Sequence, residues 1–208
     1  YENLEKKGVD FGAAGPPALN HASKLSYNRP FYTRGGGGPI EDWLFNAEYP
    51  MVRWLESNGY DVSYMACPDA ARHGNLLTNH RVLLSVGHDE YWSADERTNF
   101  EAARNAGTHL AFFSGNEVYW KTRWEPSTDG SNTPYRTLVC YKEGTLGENN
   151  CGGKCDPLAN TWTGLWRDGC AFPAADGCRP ENALTGQISW DGSTGAIQVP
   201  DTFKNLRF

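Results

Sequence analysis

The chain has 208 residues, a formal net charge of −6 and a pI near 5.4. That is long enough to bury the core of one domain, and too acidic to offer a nucleic acid the basic face its phosphates require. Hydrophobic residues at 39% and charged residues at 21% exclude a disordered chain. No apolar run approaches the roughly 18–20 residues that cross a bilayer, so no membrane partner is expected.

The first segment, residues 1–24, is polar and punctuated by Gly and Pro (GVDFGAAGPPALNHAS), and it reads as a lead-in to a domain over 25–208. Its opening YENLEKKGVD has no signal-peptide apolar core, and a start at Tyr is expected of a mature or excised chain. KLSYNRPF alternates as a strand does and is stopped by Pro30 and the run RGGGGP. That run lacks the Lys-Ser/Thr ending of a phosphate cradle and reads as a loop. Residues 49–58 carry the 3.6-residue period of a helix, with Gly59 as terminator. YDVSYMA alternates as a second strand, PDAARHGNLLTNH is a loop or short helix, and RVLLSVG is a continuous buried strand. SADERTNFEAARNAG is a helix with Ser93 as N-cap, Glu96 completing a capping box and Gly107 closing it. THLAFFSG is another buried strand.

Apolar strands alternating with helices predict a three-layer α/β fold, a parallel sheet covered on both faces, of flavodoxin or class I glutamine amidotransferase-like type. From about residue 125 the sequence becomes rich in Gly, Pro, Trp and Cys, and residues 125–208 read as an irregular cap over that sheet. Four of the six Cys (Cys151, Cys155, Cys170, Cys178) crowd into this cap. Their spacing suits two disulfides stapling a loop better than a four-thiolate zinc site, whose paired C-x2-C knuckles are missing. Disulfides point to an extracellular or periplasmic setting, with the cytoplasm as the alternative. Aromatics at 13% read as a ring-rich core or as a cleft lined with rings.

Ligands of parallel α/β sheets sit beyond the carboxyl ends of the strands. Those ends here carry Arg29 and Tyr32; Tyr64, Cys67 and Asp69; His88, Asp89, Glu90 and Tyr91; and Asn116, Glu117 and Tyr119. Each residue alone has a structural reading, Asp89 as a helix cap or Trp92 as a core lid, but their convergence on one rim favours a site. Cys67 lacks the flanking glycines of a nucleophile elbow and Ser85 lies inside a strand, so a cysteine or serine triad is disfavoured. Glu90 and Glu117 offer a carboxylate pair, although their separation is not set by sequence. His88 and Glu90 are two apart and share a face of an extended segment, which suits metal-assisted hydrolysis. Phenolates with a carboxylate form a hard oxygen set that favours ferric iron, Fe(III).

The strings NAEYPMVRWLESNGYDVSY, LLSVGHDEYWSADER, NAGTHLAFFSGNEVYWKTRWE, YRTLVCYKE and RPENALTG resemble the C-terminal domain of the N,N-dimethylformamidase large (beta) subunit family. The likeness runs from about residue 25 to 208. It implies an amidotransferase-like sheet and hydrolysis of a C–N bond in a small amide, by an iron ion held by two tyrosines and a glutamate. His88 and Glu90 of GHDEYW match the family's histidine and ligand glutamate, and Asn116 of SGNEVYW its asparagine. Tyr64 is the better candidate phenol; Tyr49 and Tyr32 compete for the second place, and Phe31 stands where many relatives have Tyr after Arg-Pro. Glu117 and Lys121 are further rim candidates for catalysis. Partners expected are a small amide, further domains of a longer chain or a homo-oligomer. The rival reading is a non-catalytic extracellular module that binds polymer or surface ligands through its aromatics; a carbohydrate hydrolase is a third.

Overall fold

The computed structural model describes residues 22–28, 44–143, 155–170, 178–188, 201–203 and 205. The glycine run, Arg29, Phe31, Tyr32 and Cys151 lie outside these. In chain order the elements are β1 (Lys24–Ser26), α1 (Tyr49–Ser57), α2 (Cys67–Arg72), β2 (Val82–His88), β3 (Tyr91–Ser93), α3 (Ala94–Asn105), β4 (His109–Gly115), β5 (Trp120–Glu125), β6 (Thr137–Val139) and α4 (Asn182–Thr185). Among these residues no helix is long and apolar enough to cross a membrane.

The helices begin and stop where local chemistry says they should. A wide turn over Leu44–Glu48 leads into α1, where Pro50 occupies the first turn, a place that needs no N–H donor. Gly59 follows α1 with φ +70°, a conformation that favours glycine. α3 carries the full capping box: the Ser93 hydroxyl accepts from the Glu96 N–H at 3.2 Å, and the Glu96 carboxylate accepts from the Ser93 N–H at 3.4 Å. Such a cap contributes about 1 kcal/mol.

The core lies on one side of the β2–β4 pair. Leu83 packs with Ala70, Leu77 and Ala103 between the strand, α2 and α3. Leu110 and Phe112 pack with Trp92, Val118, Trp166 and Leu184, so the cap supplies part of this cluster. Trp92 is fully buried and meets Phe100 edge-on with centroids 4.7 Å apart, a contact that adds about 1 kcal/mol beyond its area. Asn99 reaches from α3 to the Ala70 and Ala71 carbonyls at 2.8 and 3.0 Å, satisfying acceptors that the end of a helix leaves open.

The fold corrects the three-layer parallel expectation. β2 and β4 are parallel in the register Val82↔His109 to His88↔Gly115, but they form a two-stranded sheet. The other sheet is mixed, in the order β1-β6-β5-β3, with β3–β5 parallel and β5–β6 and β6–β1 antiparallel. Thus β1 is an antiparallel edge of the cap, not the first strand of a parallel sheet. Residues 60–66 join no ladder, and Tyr64 is 58% exposed: the alternating side chains there have no covered face to fill. The outer face of the β2–β4 pair is open too, with Val82, Leu84 and Phe113 exposed among the described residues. A continuous apolar run signals two buried faces only when both are covered, and among the described residues one is. The result is α/β with separated sheets, not a flavodoxin-like or amidotransferase-like stack.

The cap is built onto β5. Its residues 163–166 run beside 119–121 and 143, with Lys121 N donating to Gly164 O at 2.7 Å, Trp166 N to Tyr119 O at 3.1 Å and Leu165 N to Glu143 O at 3.0 Å. Cys170 and Cys178 are disulfide-bonded, and Cys155 is in a disulfide as well, so the staple reading is the one the structure supports for these three. Cys67 and Cys140 are free thiols.

Candidate active site

The carboxyl ends of β2 and β4 lie side by side, because parallel pairing sets His88 opposite Gly115. Beyond β2 the chain runs through Asp89 and Glu90 into β3. Beyond β4 it makes a tight turn in which Asn116 and Val118 have φ +52° and +55°. Val118 is completely buried, and a β-branched residue in this conformation is a costly departure from the usual map. The turn is clamped to the other strand end: Val118 N donates to Asp89 O at 3.0 Å and Trp120 N to Glu90 O at 2.8 Å. Backbone strain held by surrounding contacts is a hallmark of functional edges.

His88 and Glu90 meet as their two-residue spacing predicts, with Nε2 and Oε2 at 3.2 Å. The other carboxylate oxygen of Glu90 accepts from the Trp120 indole N–H at 3.1 Å. His88 keeps partial exposure, and the Glu90 carboxylate less. A methyl group on Gly115 would stand 3.2 Å from His88 Nδ1, so the glycine leaves the imidazole its room. Asn116 is exposed at the apex of the turn next to this pair.

The remaining candidates separate. Glu117 turns inward and is buried, its Oε1 accepting from Ser114 N at 3.3 Å and its Oε2 from Gln187 Nε2 at 2.8 Å. Lys121 alternates with Trp120 along β5 and goes into the cap, donating to Trp162 O at 2.8 Å. The Tyr64 hydroxyl donates to Glu56 Oε1 at 2.8 Å, and this hydrogen bond lifts the phenol above its ordinary range. Tyr49 is exposed beside Phe45, with ring centroids 6.2 Å apart. Among the described residues neither phenol bonds to His88, Glu90 or Asn116.

Two further carboxyl groups lie near the edge: Asp89, one of the strand-end residues the sequence offered, and Glu48, which it did not. Asp89 is tucked under the strand end, accepting from Ser85 Oγ at 2.7 Å with Cys67 Sγ 4.0 Å away. Burial raises its affinity for a proton, against the opposing Ser85 hydrogen bond. Glu48 reaches from the turn before α1 across Gly87, where an added Cβ would come within 2.7 Å of its Oε1. Its Oε2 is buried with no hydrogen-bond partner among the described residues, and burial raises this carboxyl as well. Deeper in, burial lifts Glu96 and Cys67 well above their ordinary ranges. Nothing in the local sequence around Glu48 marks it, because its place depends on a packing of the turn over β2. Trp120 is hidden for the same reason, since its role depends on a cross-strand register.

Against the iron expectation, Glu90 fits the carboxylate place: its oxygens are oriented by two N–H-bearing neighbours. Tyr49 and Tyr64, as placed here, do not fit the phenolate places, and among the described residues no three His, Cys, Asp or Glu side chains converge as a metal cage. The arrangement does provide an imidazole oriented by a carboxylate, a side-chain amide on a strained turn, and an open edge.

Comparison with known proteins matches residues 6–205 to the family described as N,N-dimethylformamidase beta subunit-like, C-terminal. An N,N-dimethylformamidase beta subunit of Paracoccus aminophilus is 30% identical over 122 residues, which is 57% of this chain and 14% of that protein. One from Alcaligenes sp. is 27% identical over 128 residues, 60% of this chain and 15% of that protein. The chain thus spans about a seventh of the length of these relatives.

Proposed function

Because this chain belongs to the N,N-dimethylformamidase beta subunit-like, C-terminal family, we propose that it carries part of the site of a hydrolase acting on the C–N bond of a small amide. The observation that carries this reading is the His88–Glu90 pair at the end of β2, facing the strained turn that bears Asn116. Water attacks the amide carbonyl; His88 takes the proton that water loses and returns it to the departing nitrogen as the C–N bond breaks. A carboxylate product and an amine result. Glu90 orients the imidazole, and the Asn116 side-chain amide donates to the oxygen on which negative charge develops. Ferric iron, which the family resemblance supports, would take Glu90 as its carboxylate ligand.

The test is amine release from N-methylated small amides by the whole protein, compared with His88→Ala and Asn116→Ala. A fall of about 10²-fold or more is expected for each. Failure of the wild type to release amine from any such amide, or full activity in His88→Ala, overturns the reading. Iron analysis of the wild type against Glu90→Ala checks the metal: equal, substoichiometric iron in both removes it.

The relatives are named as beta subunits, and the open outer face of β2 and β4 supports carrying over contacts with further domains or subunits. The Cys170–Cys178 disulfide supports an oxidising setting, extracellular or periplasmic. A binding-module reading has one observation in its favour: Trp54 and Tyr60 are both exposed, with rings 5.3 Å apart at the end of α1. Quenching of Trp fluorescence by a soluble polysaccharide, lost in Trp54→Ala, distinguishes it from the hydrolase.

A further inference from the structure

The His88–Glu90 pair works only if the Glu90 carboxylate is held in one orientation, and a glutamate has three rotatable bonds with which to leave it. We propose that Trp120 is the positioning residue for Glu90, and that the cap, through Lys142, tunes this hold. The inference rests on the hydrolase reading for its catalytic consequence, though not for its geometry.

Trp120 grips Glu90 twice. Its backbone N–H donates to the Glu90 carbonyl at 2.8 Å, and its indole N–H donates to Oε1 at 3.1 Å. An indole N–H donates and never accepts, so it fixes Oε1 as an acceptor and leaves Oε2 turned to His88. The indole cannot swing away: Trp120 is 6% exposed, and Tyr119 stands edge-on to it with centroids 5.0 Å apart and planes at 85°. Its register is set by the parallel pairing of Tyr91 with Trp120. Above the ring lies Lys142 Nζ, 5.0 Å from the Trp120 centroid and 5.2 Å from that of Tyr91. A cation over an indole face draws electron density from the ring and makes the N–H a stronger donor. Lys142 itself sits at φ +54°, an uncommon conformation for a lysine, in the cap segment just before Glu143, which bridges to Gly164.

Trp120→Phe removes the donor and keeps a ring in the core; Lys142→Met removes the cation. Trp120→Phe is expected to lower kcat for amine release about 10- to 100-fold, the range for losing a group that supports a catalytic residue. KM and the melting temperature should change little. Lys142→Met should lower kcat by a smaller factor. The second readout is the indole N–H hydrogen-bond band of Trp120 in ultraviolet resonance Raman, isolated as the wild-type minus Trp120→Phe difference. That band should weaken in Glu90→Ala, whether or not the protein hydrolyses amides, so a failed hydrolase reading does not decide this one. Wild-type kcat in Trp120→Phe, or an unchanged band in Glu90→Ala, overturns the proposal.

Discussion

At the level of single residues, the edge of β2 and β4 is governed by small spaces. Gly115 has an ordinary backbone conformation, so Gly115→Ala is allowed by its dihedrals. The added methyl would nevertheless press on His88 Nδ1 from 3.2 Å, and the imidazole must give by a few tenths of an ångström. Displacement of a catalytic group on that scale is expected to lower kcat about tenfold, with a thermal unfolding midpoint close to wild type; unchanged kcat would show that His88 needs no such room. How far such residues can be read from sequence follows from how they come together. His88 and Glu90 were legible because an i, i+2 spacing in an extended segment is a local rule. Asn116 was legible as a polar residue just past the end of its strand and through the family resemblance, but its left-handed φ was not. Trp120 and Glu48 escaped because they reach the edge through packing between separate segments. Lys121 and Glu117 were placed on the rim by nearness in sequence; alternation along β5 takes Lys121 into the cap, while Glu117 turns inward beneath the strand ends, near enough to Asp89 to raise its affinity for a proton.

Elements show the same division between local and non-local signals. The capping box of α3 was readable from S-x-x-E and is present atom for atom, whereas the sheet was not, because strand periodicity fixes a strand without fixing its neighbour. KLSYNRPF gave a real strand that pairs in the cap. Among the described residues, YDVSYMA gave a pattern with nothing to pair against, and RVLLSVG an apolar run with one face uncovered. Glu96 adds a consequence at this scale. It is buried behind the helix cap it completes, and burial lifts its folded-state affinity for protons well above the ordinary carboxylate value of 4.5. A carboxyl raised in this way contributes its stability fully below the unfolded-state value and loses it as pH rises toward the folded one. Glu96→Gln keeps the capping geometry, since Gln serves at the same place, and removes the ionisation. The variant is expected to lose less stability than the wild type as pH rises above the ordinary carboxylate value toward the raised folded-state one, measured by urea unfolding at each pH. Asp89 and Glu48 are raised in the same direction, so some slope should survive. Ser93→Ala, by contrast, should cost about 1 kcal/mol at every pH.

Over the whole molecule, the cap is joined to the sheet by a buried ion pair, and the site depends on that join. Arg123 of β5 donates from Nη1 and Nη2 to the two oxygens of Asp156 at 2.6 and 2.9 Å, a bidentate pair whose aspartate side chain is fully buried. The same carboxylate accepts from Thr163 Oγ1 at 2.8 Å and Leu158 N at 3.0 Å, while Asp156 N donates to Glu143 Oε1 at 2.7 Å. Residues 143 and 163 belong to the segment that runs beside Trp120, so this hub and the Glu90 clamp share a wall. Burying two charges costs about as much as their attraction returns, whereas removing Asp156 takes the bidentate partner from Arg123, which keeps Glu125 Oε1 at 3.0 Å from its Nε, and leaves Thr163 Oγ1 and Leu158 N without their acceptor. Asp156→Ala is therefore expected to lower stability by about 3–5 kcal/mol, and Arg123→Met combined with Asp156→Leu to recover most of that loss. Urea unfolding of the two single variants and the double variant measures the coupling. If the cap positions the clamp, Asp156→Ala should also lower kcat under conditions where the protein remains folded, and the apolar double variant should restore much of it. Restored stability with no recovery of kcat would mean that this ion pair serves the fold alone, and that Trp120 takes its support from β3 and β5 without help from the cap.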